Sequence, residues 1–203
     1  LFFENNLDYE IIIVDDGSSD DSIKKIQNIQ KQTNKITLIE LSRNFGHHPA
    51  ISCGLKHAIG DLIFLIDSDL EEEPKIFNKF YKELNANDLD LVFGRQKSRR
   101  GGLLEKISGN LYYFFLNKIL GFKIPKNMVT SRLMRREYLD AYLQFKESEF
   151  LLSGITELTG FKKKGIFVEK IRKYKTNYNS IKKMQVLVKS ITNYSSRPLY
   201  FLF

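Results

Sequence analysis

Apolar residues recur along this chain in two rhythms. Short, nearly continuous runs occupy 9–14 (YEIIIV), 35–41 (KITLIEL), 61–66 (DLIFLI) and 88–94 (DLDLVFG). They are rich in β-branched and large aliphatic residues and bounded by turn formers, the signature of strands covered on both faces. Between them the spacing lengthens to that of helices. One runs from the DDGSSDDS turn, where Ser19 or Asp20 can cap it, to about Gln32; a second covers 49–59 and ends at Gly60. A third opens at Pro74, the residue favoured in a first helical position. Strand alternating with helix predicts an α/β fold with a doubly wound, mostly parallel sheet. Such sheets bind ligands beyond the carboxyl ends of their strands. DDGSSD, SRNFG, DSDLE and GRQKSRR all fall at those ends.

The second half is less regular. A strongly apolar segment with interspersed basic residues at 103–120 predicts an amphipathic helix. VTSRLM reads as a strand, 136–145 and 150–159 as helices, 165–171 as a strand, and 180–194 as a Lys-rich amphipathic helix. There is no internal repeat and no low-complexity linker.

Composition narrows the class. The chain has 203 residues, 42% apolar and 28% charged, which suits one sizeable folded domain, or one domain with an appendage. A single cysteine, Cys53, excludes a disulfide framework and a cysteine-based zinc site. No signal peptide is visible, and no run of eighteen apolar residues is present to span a bilayer. The chain begins without Met and turns apolar at PLYFLF, which predicts a piece of a longer protein cut where a membrane segment begins. The net charge of +8 is unevenly spread: residues 1–94 carry 9 basic and 17 acidic side chains, and 95–203 carry 23 and 7. An acidic half and a basic half predict two jobs, the basic one facing nucleic acid, an anionic membrane surface or a phosphorylated ligand.

Candidate chemistry concentrates at the third strand. The run LIFLI leads directly into DSDLEEE, five carboxylates between Asp67 and Glu73. Like charges this dense repel unless a cation sits among them. An Asp-x-Asp pair at a strand end offers hard oxygens to Mg2+ or Mn2+, which keeps waters and bridges to substrate phosphates. Asp67 and Asp69 would share that ion with a nucleotide diphosphate, Glu71 joining them or orienting a metal-bound water. Glu72 and Glu73 read as the acidic first turn of the helix begun by Pro74. A solvated acidic loop with a helix cap is the plainer alternative. In DDGSSD, an Asp at the tip of the first strand can accept from a pyrimidine N–H or ribose hydroxyl, with Gly17 permitting close backbone approach; a polar capping turn is again the alternative. No G-x-G-x-x-G and no phosphate-cradling P-loop are present, so a diphosphate would depend on the metal. His47 and His48 read as facing solvent or substrate rather than ligating metal. Cys53 with His57, and the aromatics at 112–115, read as packing.

Taken together, IIIVDDGSSDDS, LSRNFGHHPAISCGLKHAIGDLIFLIDSDLEEEP and LVFGRQKSR resemble glycosyltransferase family 2, and more narrowly the polyprenyl-phosphate glycosyltransferases related to dolichol-phosphate mannose synthase. The resemblance covers nearly the whole chain. It implies the GT-A fold, although the family's opening V-P-x-Y-N-E strand is absent, in keeping with truncation. It implies that Asp15 and Asp16, with Gly17, contact the nucleoside; that Arg43, Asn44 and Gly46 are the R-N-x-G loop at the donor; and that Asp67 and Asp69 are the metal-binding D-x-D, Glu71 replacing the usual Gln. Arg95, Arg99 and Ser108 match the segment after the fourth strand. Ser131, Arg132 and Leu133 match an F-R-L block that helps hold the acceptor phosphate, with Ser131 in place of Phe and no Asp in the preceding KNMVT. RKYKTNY keeps Arg172 and Tyr178 of a later motif but lacks its Gly. ITNYSSRPL matches the segment that precedes the family's transmembrane helices.

A phosphate acceptor also agrees with the charge. A sugar hydroxyl needs a general base, whereas a phosphomonoester with a second pKa of about 6 is already an ionised nucleophile. Arginines such as Arg132 and Arg172, with Arg95 or Arg99, suit forked phosphate contacts. The expectation is therefore a metal-dependent, inverting sugar transfer from a nucleotide-diphosphate sugar to a polyprenyl phosphate at the cytoplasmic face of a membrane. Residues 1–94 would form the donor half of one domain, 95–180 the acceptor half, and 181–203 a juxtamembrane segment. Four alternatives stay open: transfer to a saccharide hydroxyl, a haloacid-dehalogenase-type phosphatase (disfavoured because Leu70 and Glu71 follow the second Asp), a nucleic-acid-binding basic module, for which no reader motif is present, and an inactive scaffold. Nucleic acid is not an expected partner, and self-association into a homo-oligomer is left open.

Overall fold

The structure, a computed structural model, describes residues 7–96, 125, 127–145 and 152–169. Its strands and helices are β1 (Ile11–Asp15), α1 (Ser22–Gln30), β2 (Ile36–Glu40), α2 (His47–His57), β3 (Leu62–Leu65), α3 (Ile76–Ala86), β4 (Leu91–Arg95), β5 (Met128–Arg135), α4 (Arg136–Leu143), α5 (Leu152–Leu158) and β6 (Lys163–Phe167). β1 and β2 pair in parallel, with Ile11 opposite Ile36 and Asp15 opposite Glu40. The other strands form a sheet ordered β3-β5-β4-β6. Within it β3, β4 and β6 run one way, and β5 is reversed between β3 and β4. The α/β expectation with its predominantly same-direction strands is met, with one insertion. The apolar run of a buried strand carries no mark of direction, so the reversal of β5 was hidden.

Alternation along these strands feeds two cores, one on each face of the larger sheet. Leu91, Phe93 and Met134 face one way, toward α2, α4 and α5. Val92 and Leu133 face the other, toward α3. α3 presents Phe77, Phe80 and Leu84, an i, i+3, i+7 stripe that is almost fully buried, and Phe64 meets the Phe77 and Phe80 rings edge to face. Each such side chain contributes about 1.5–3 kcal/mol relative to exposure. α2 joins the two sheets: Leu55 enters the core of the larger one, while a Cβ on Gly54 would lie 3.0 Å from Val14 of β1.

Most boundaries shift by a residue or two. α1 stops at Gln30, with Gln32 closing a tighter turn onto Ile29. α2 starts at His47 rather than at Pro49, and β6 lies two residues earlier at its start than the predicted strand. Pro74 opens a turn, not the helix itself: Ile76 and Phe77 donate to the carbonyls of Glu73 and Pro74 before α3 begins. The predicted amphipathic segments at 103–120 and 180–194 lie outside the described residues. Among the described residues no helix is long and apolar enough to cross a membrane.

Candidate active site

Three loops at the carboxyl ends of β1, β2 and β3 meet the start of β5, and a continuous series of contacts links them. It begins at β1. Asp15 is buried, and its Oδ2 accepts from the N–H groups of Gly17 (3.1 Å) and Ser18 (3.0 Å). Bonding to Ser18, through side chain and backbone, holds the Asp15 carboxyl below its usual pKa against the opposing effect of burial. Asp16 reaches across to the second loop. Its Oδ1 accepts from Phe45 N–H at 2.7 Å and its Oδ2 from Gly46 N–H at 2.9 Å. Gly17, at φ +77°, lies so close to this loop that a Cβ would stand 2.8 Å from the backbone nitrogen of Asn44. Asp15, Asp16, Gly17, Arg43, Asn44 and Gly46 are thus brought together. Both aspartates spend their carboxylates on the loops themselves, which the sequence did not reveal. Arg43 stacks on the Phe45 ring at 4.4 Å.

Gly46, at φ +100°, turns the chain into α2 without a side-chain cap. His47 follows, and its Nε2 lies 3.7 Å from Asp67 Oδ1 and 3.5 Å from Thr130 Oγ1. One imidazole therefore touches both the carboxyl end of β3 and the start of β5. Asp67 is partly exposed there. Asp69 is exposed, and its Oδ1 accepts from Glu71 N–H at 2.8 Å around Leu70, which adopts the left-handed region at φ +57°.

Among the described residues no three His, Cys, Asp or Glu side chains gather to hold a metal ion. The Asx turn closed by Glu71 N–H sets the loop geometry. The donor set still suits a hard cation: carboxylate oxygens at an open strand end fit Mg2+ or Mn2+ whose other positions are filled by water and phosphate. One sequence expectation, for Glu72, is corrected. α3 starts at Ile76 and has no acidic residue in its first turn; Glu72 is instead buried, 3% exposed, and its charge supports that of Arg132.

Arg132 is only 2% exposed. It lies opposite Leu65 and Phe93 on the sheet face that bears α2 and α4. β5 is irregular beyond this point, and the Arg132 side chain binds the carbonyls it exposes: Nε donates to Thr130 O at 3.0 Å and Nη2 to Val129 O at 3.3 Å. Among the described residues Nη1 has no hydrogen-bond partner. Burial lowers the Arg132 pKa, while Tyr138, Tyr142, Asp67 and Glu72 act to preserve its charge. His48, beside His47, is pushed down to about 4 by burial and by the neighbouring His47 and Arg132 charges, with Asp67 opposing. It is neutral at physiological pH, and its Nδ1 also lacks a partner among the described residues.

The remaining predicted residues divide. Ser131 is fully buried on the opposite face from Arg132, against Gly94, because neighbours on a strand alternate. Arg95 is on the Phe93 face, crosses over Gly165 and stacks on Phe167 at 5.9 Å, with its Nε buried and unpartnered among the described residues. Arg99, Ser108 and Arg172 lie outside the described residues. His47, Glu72 and Thr130 were not predicted as site residues. For His47 the signal was the pair of histidines directly after a glycine loop, and for Glu72 its place in the acidic run.

Comparison with known proteins gives a family and a fold. Residues 3–143 match the family described as Glycosyl transferase family 2. A Mycobacterium tuberculosis protein named as a glycosyltransferase is 39% identical over 97% of this chain and 57% of its own length. A prophage bactoprenol glucosyl transferase homolog of Escherichia coli is 29% identical over 94% of this chain and 63% of its own. An undecaprenyl-phosphate 4-deoxy-4-formamido-L-arabinose transferase of Proteus mirabilis is 28% identical over 96% and 60%. The chain thus spans about three fifths of these relatives. Among solved structures, a Pyrobaculum calidifontis mannosyltransferase in complex with GDP-Man and Mn2+ superposes with a TM-score of 0.59 at 18% identity, covering 89% of this chain and 53% of that one. Glucosyl-3-phosphoglycerate synthase from M. tuberculosis with UDP gives 0.56 at 19%, covering 92% and 69%. These two show the GT-A fold. With the family match running from before β1 to the end of α4, through every loop of the contact series, this chain belongs to glycosyl transferase family 2.

Proposed function

We propose that the protein of which this chain is part moves a sugar from a nucleotide-diphosphate sugar to a polyprenyl phosphate, with inversion, at the cytoplasmic face of a membrane. The observation that carries this reading is Arg132: a buried arginine with one nitrogen unpartnered among the described residues, joined through Thr130 and His47 to Asp67. A cation held in that position is suited to an anionic nucleophile rather than to a neutral hydroxyl, and the relatives named for bactoprenol and undecaprenyl phosphate point the same way.

Residues 1–94 supply the donor half. Asp15, Asp16 and Gly17 with Arg43, Asn44 and Gly46 frame the nucleoside. Asp67 and Asp69 would hold Mg2+ or Mn2+, which when bound supplies positive charge against the departing diphosphate. Residues 95–180 supply the acceptor half, with Arg132 and Arg95 joined by Arg99, Ser108 and Arg172. An oxygen of the acceptor phosphate attacks the anomeric carbon, the bond to the diphosphate breaks, and its electron pair leaves with the diphosphate. The nucleophile has no proton to lose, so no general base is required. The basic residues of 95–203 and the segment 181–203 would seat the enzyme on an anionic leaflet.

The test is transfer of labelled sugar, from a panel of nucleotide sugars, to undecaprenyl phosphate by the full-length enzyme in membranes. Glycolipid should form only with Mg2+ or Mn2+ present. Asp69→Asn should slow it on the order of a hundredfold, the scale of losing one stabiliser of transition-state charge. An unchanged rate in Asp69→Asn would remove the metal assignment. Label appearing on a saccharide acceptor instead of the lipid would move the reading to hydroxyl glycosylation.

A further inference from the structure

We infer that His47 is a positioning residue: its imidazole, steadied by Thr130 of β5, holds the Asp67 carboxylate in the orientation that takes a divalent cation. The cation belongs to the proposed function, and the inference rests on that reading; the contacts that single out His47 do not.

Three segments distant in sequence meet at one ring. His47 is the first residue of α2, and its Nε2 lies 3.7 Å from Asp67 Oδ1, just past the end of β3, and 3.5 Å from Thr130 Oγ1 on β5. The loop before the helix sets where the ring starts from. Gly46, at φ +100°, gives its N–H to Asp16 Oδ2 at 2.9 Å, so α2 begins at a fixed point beside the β1 loop. The His48 ring then packs edge to face on His47 at 5.6 Å.

A side chain held by its backbone, its neighbour and Thr130 can act on a fourth group, and that group is Asp67. The 3.7 Å contact has ion-pair length and is too long for a hydrogen bond, so the ring steers the carboxylate without capturing it. A carboxylate locked in a short bond gives up an oxygen; one oriented across a gap keeps both for a cation. The Asp67 side chain is only 23% exposed, so the field of a nearby N–H is screened less than on an open surface. Asp69 is oriented differently, by the Glu71 N–H on its Oδ1. The imidazole stays off the ion itself, because Mg2+ and Mn2+ prefer oxygen ligands and ring nitrogens suit softer metals. The ring need not be charged for this role. A neutral imidazole protonated on Nε2 turns its positive end toward Asp67, and the Thr130 hydroxyl can accept as well as donate.

The test is Mn2+ binding to the full-length enzyme at one pH, read from loss of the free-ion electron paramagnetic resonance signal. Asp67→Asn should abolish it. His47→Ala should weaken it about ten- to a hundredfold, the range for losing a partner that orients a ligating carboxylate. His47→Gln, whose amide reaches the place of Nε2, should recover most of the affinity. His47→Asn, whose amide stops at the place of Nδ1, should stay as weak as His47→Ala, and His57→Ala at the far end of α2 should match the wild type. A folded His47→Ala that binds Mn2+ like the wild type, while Asp67→Asn does not, overturns the positioning role and leaves the cation reading standing. Equal weakening in His47→Gln and His47→Asn overturns it as well, since the reach of the donor would then be irrelevant. Where His47→Ala does not fold by thermal melting, His47→Leu takes its place with the same two outcomes. No Mn2+ bound by the wild type, or binding unchanged in Asp67→Asn, overturns the cation reading and the inference together.

Discussion

At the scale of single residues, the most consequential side chain in the loops after β1 and β2 is Asp16. Its two oxygens accept from consecutive backbone N–H groups, Phe45 and Gly46, across a sequence separation of about thirty residues. Charge-assisted bonds of this kind contribute more than neutral ones. Asp16→Ala should lower unfolding free energy by about 1–3 kcal/mol in urea titration and, under the proposed function, raise KM for the nucleotide sugar, because the loop bearing Arg43 and Asn44 would lose its anchor. An unchanged denaturation midpoint would show that the clamp is not maintained in solution. DDG stood out in the sequence as a candidate motif, yet the partner of each carboxylate did not, since a carboxylate's partner depends on which loop folds beside it. Arg132 illustrates the same limit. Its residue type suggested an anion contact; its burial and its bonds to Thr130 and Val129 could not be read.

At the scale of elements, the strands and helices of the first half were readable because each carries its own period. Near-continuous apolar runs gave β1 to β4, and the 77, 80, 84 stripe marks the face of α3 that is buried. Phe80 has no exposed surface and lies against Phe64. Phe80→Ala should cost about 3–5 kcal/mol in denaturant unfolding, the range for truncating a buried aromatic. A loss under 1 kcal/mol would mean that the α3 face repacks without a cavity. β5 was the harder element: Ser131 and Arg132 interrupt its apolar run, and both are buried. They are tolerated because adjacent residues point to opposite faces, so each meets a different environment. The start of α3 was misplaced because Pro74 is equally at home in a turn.

At the scale of the whole molecule, acid should weaken the fold through His48 before it affects the carboxylates. The ring has a pKa of about 4 in the folded chain against 6.5 in the ordinary state. The unfolded chain therefore binds more protons between those values, and stability is complete above pH 6.5 and declines as pH falls toward 4. The whole decline, complete only below pH 4, amounts to roughly 3 kcal/mol. Asp15, whose pKa is lowered in the fold, adds a further loss only below about 3.8. Urea midpoints measured from pH 7 to pH 4.5 should fall in the wild type and flatten in His48→Gln; parallel slopes would place the titrating group elsewhere.

The amino-acid sequence by itself determined the strand–helix order, the acidic and basic halves, and the residue types gathered at the strand ends. Each follows from local periodicity, composition or a contiguous motif, none of which needs a distant partner. Tertiary structure alone decided that β5 is reversed between β3 and β4, that Asp16 clamps the following loop, and that Glu72 and Arg132 are buried near one another's charge. Those outcomes depend on which segments meet after the chain has closed over many residues, and burial is a property of that meeting, not of the side chain itself.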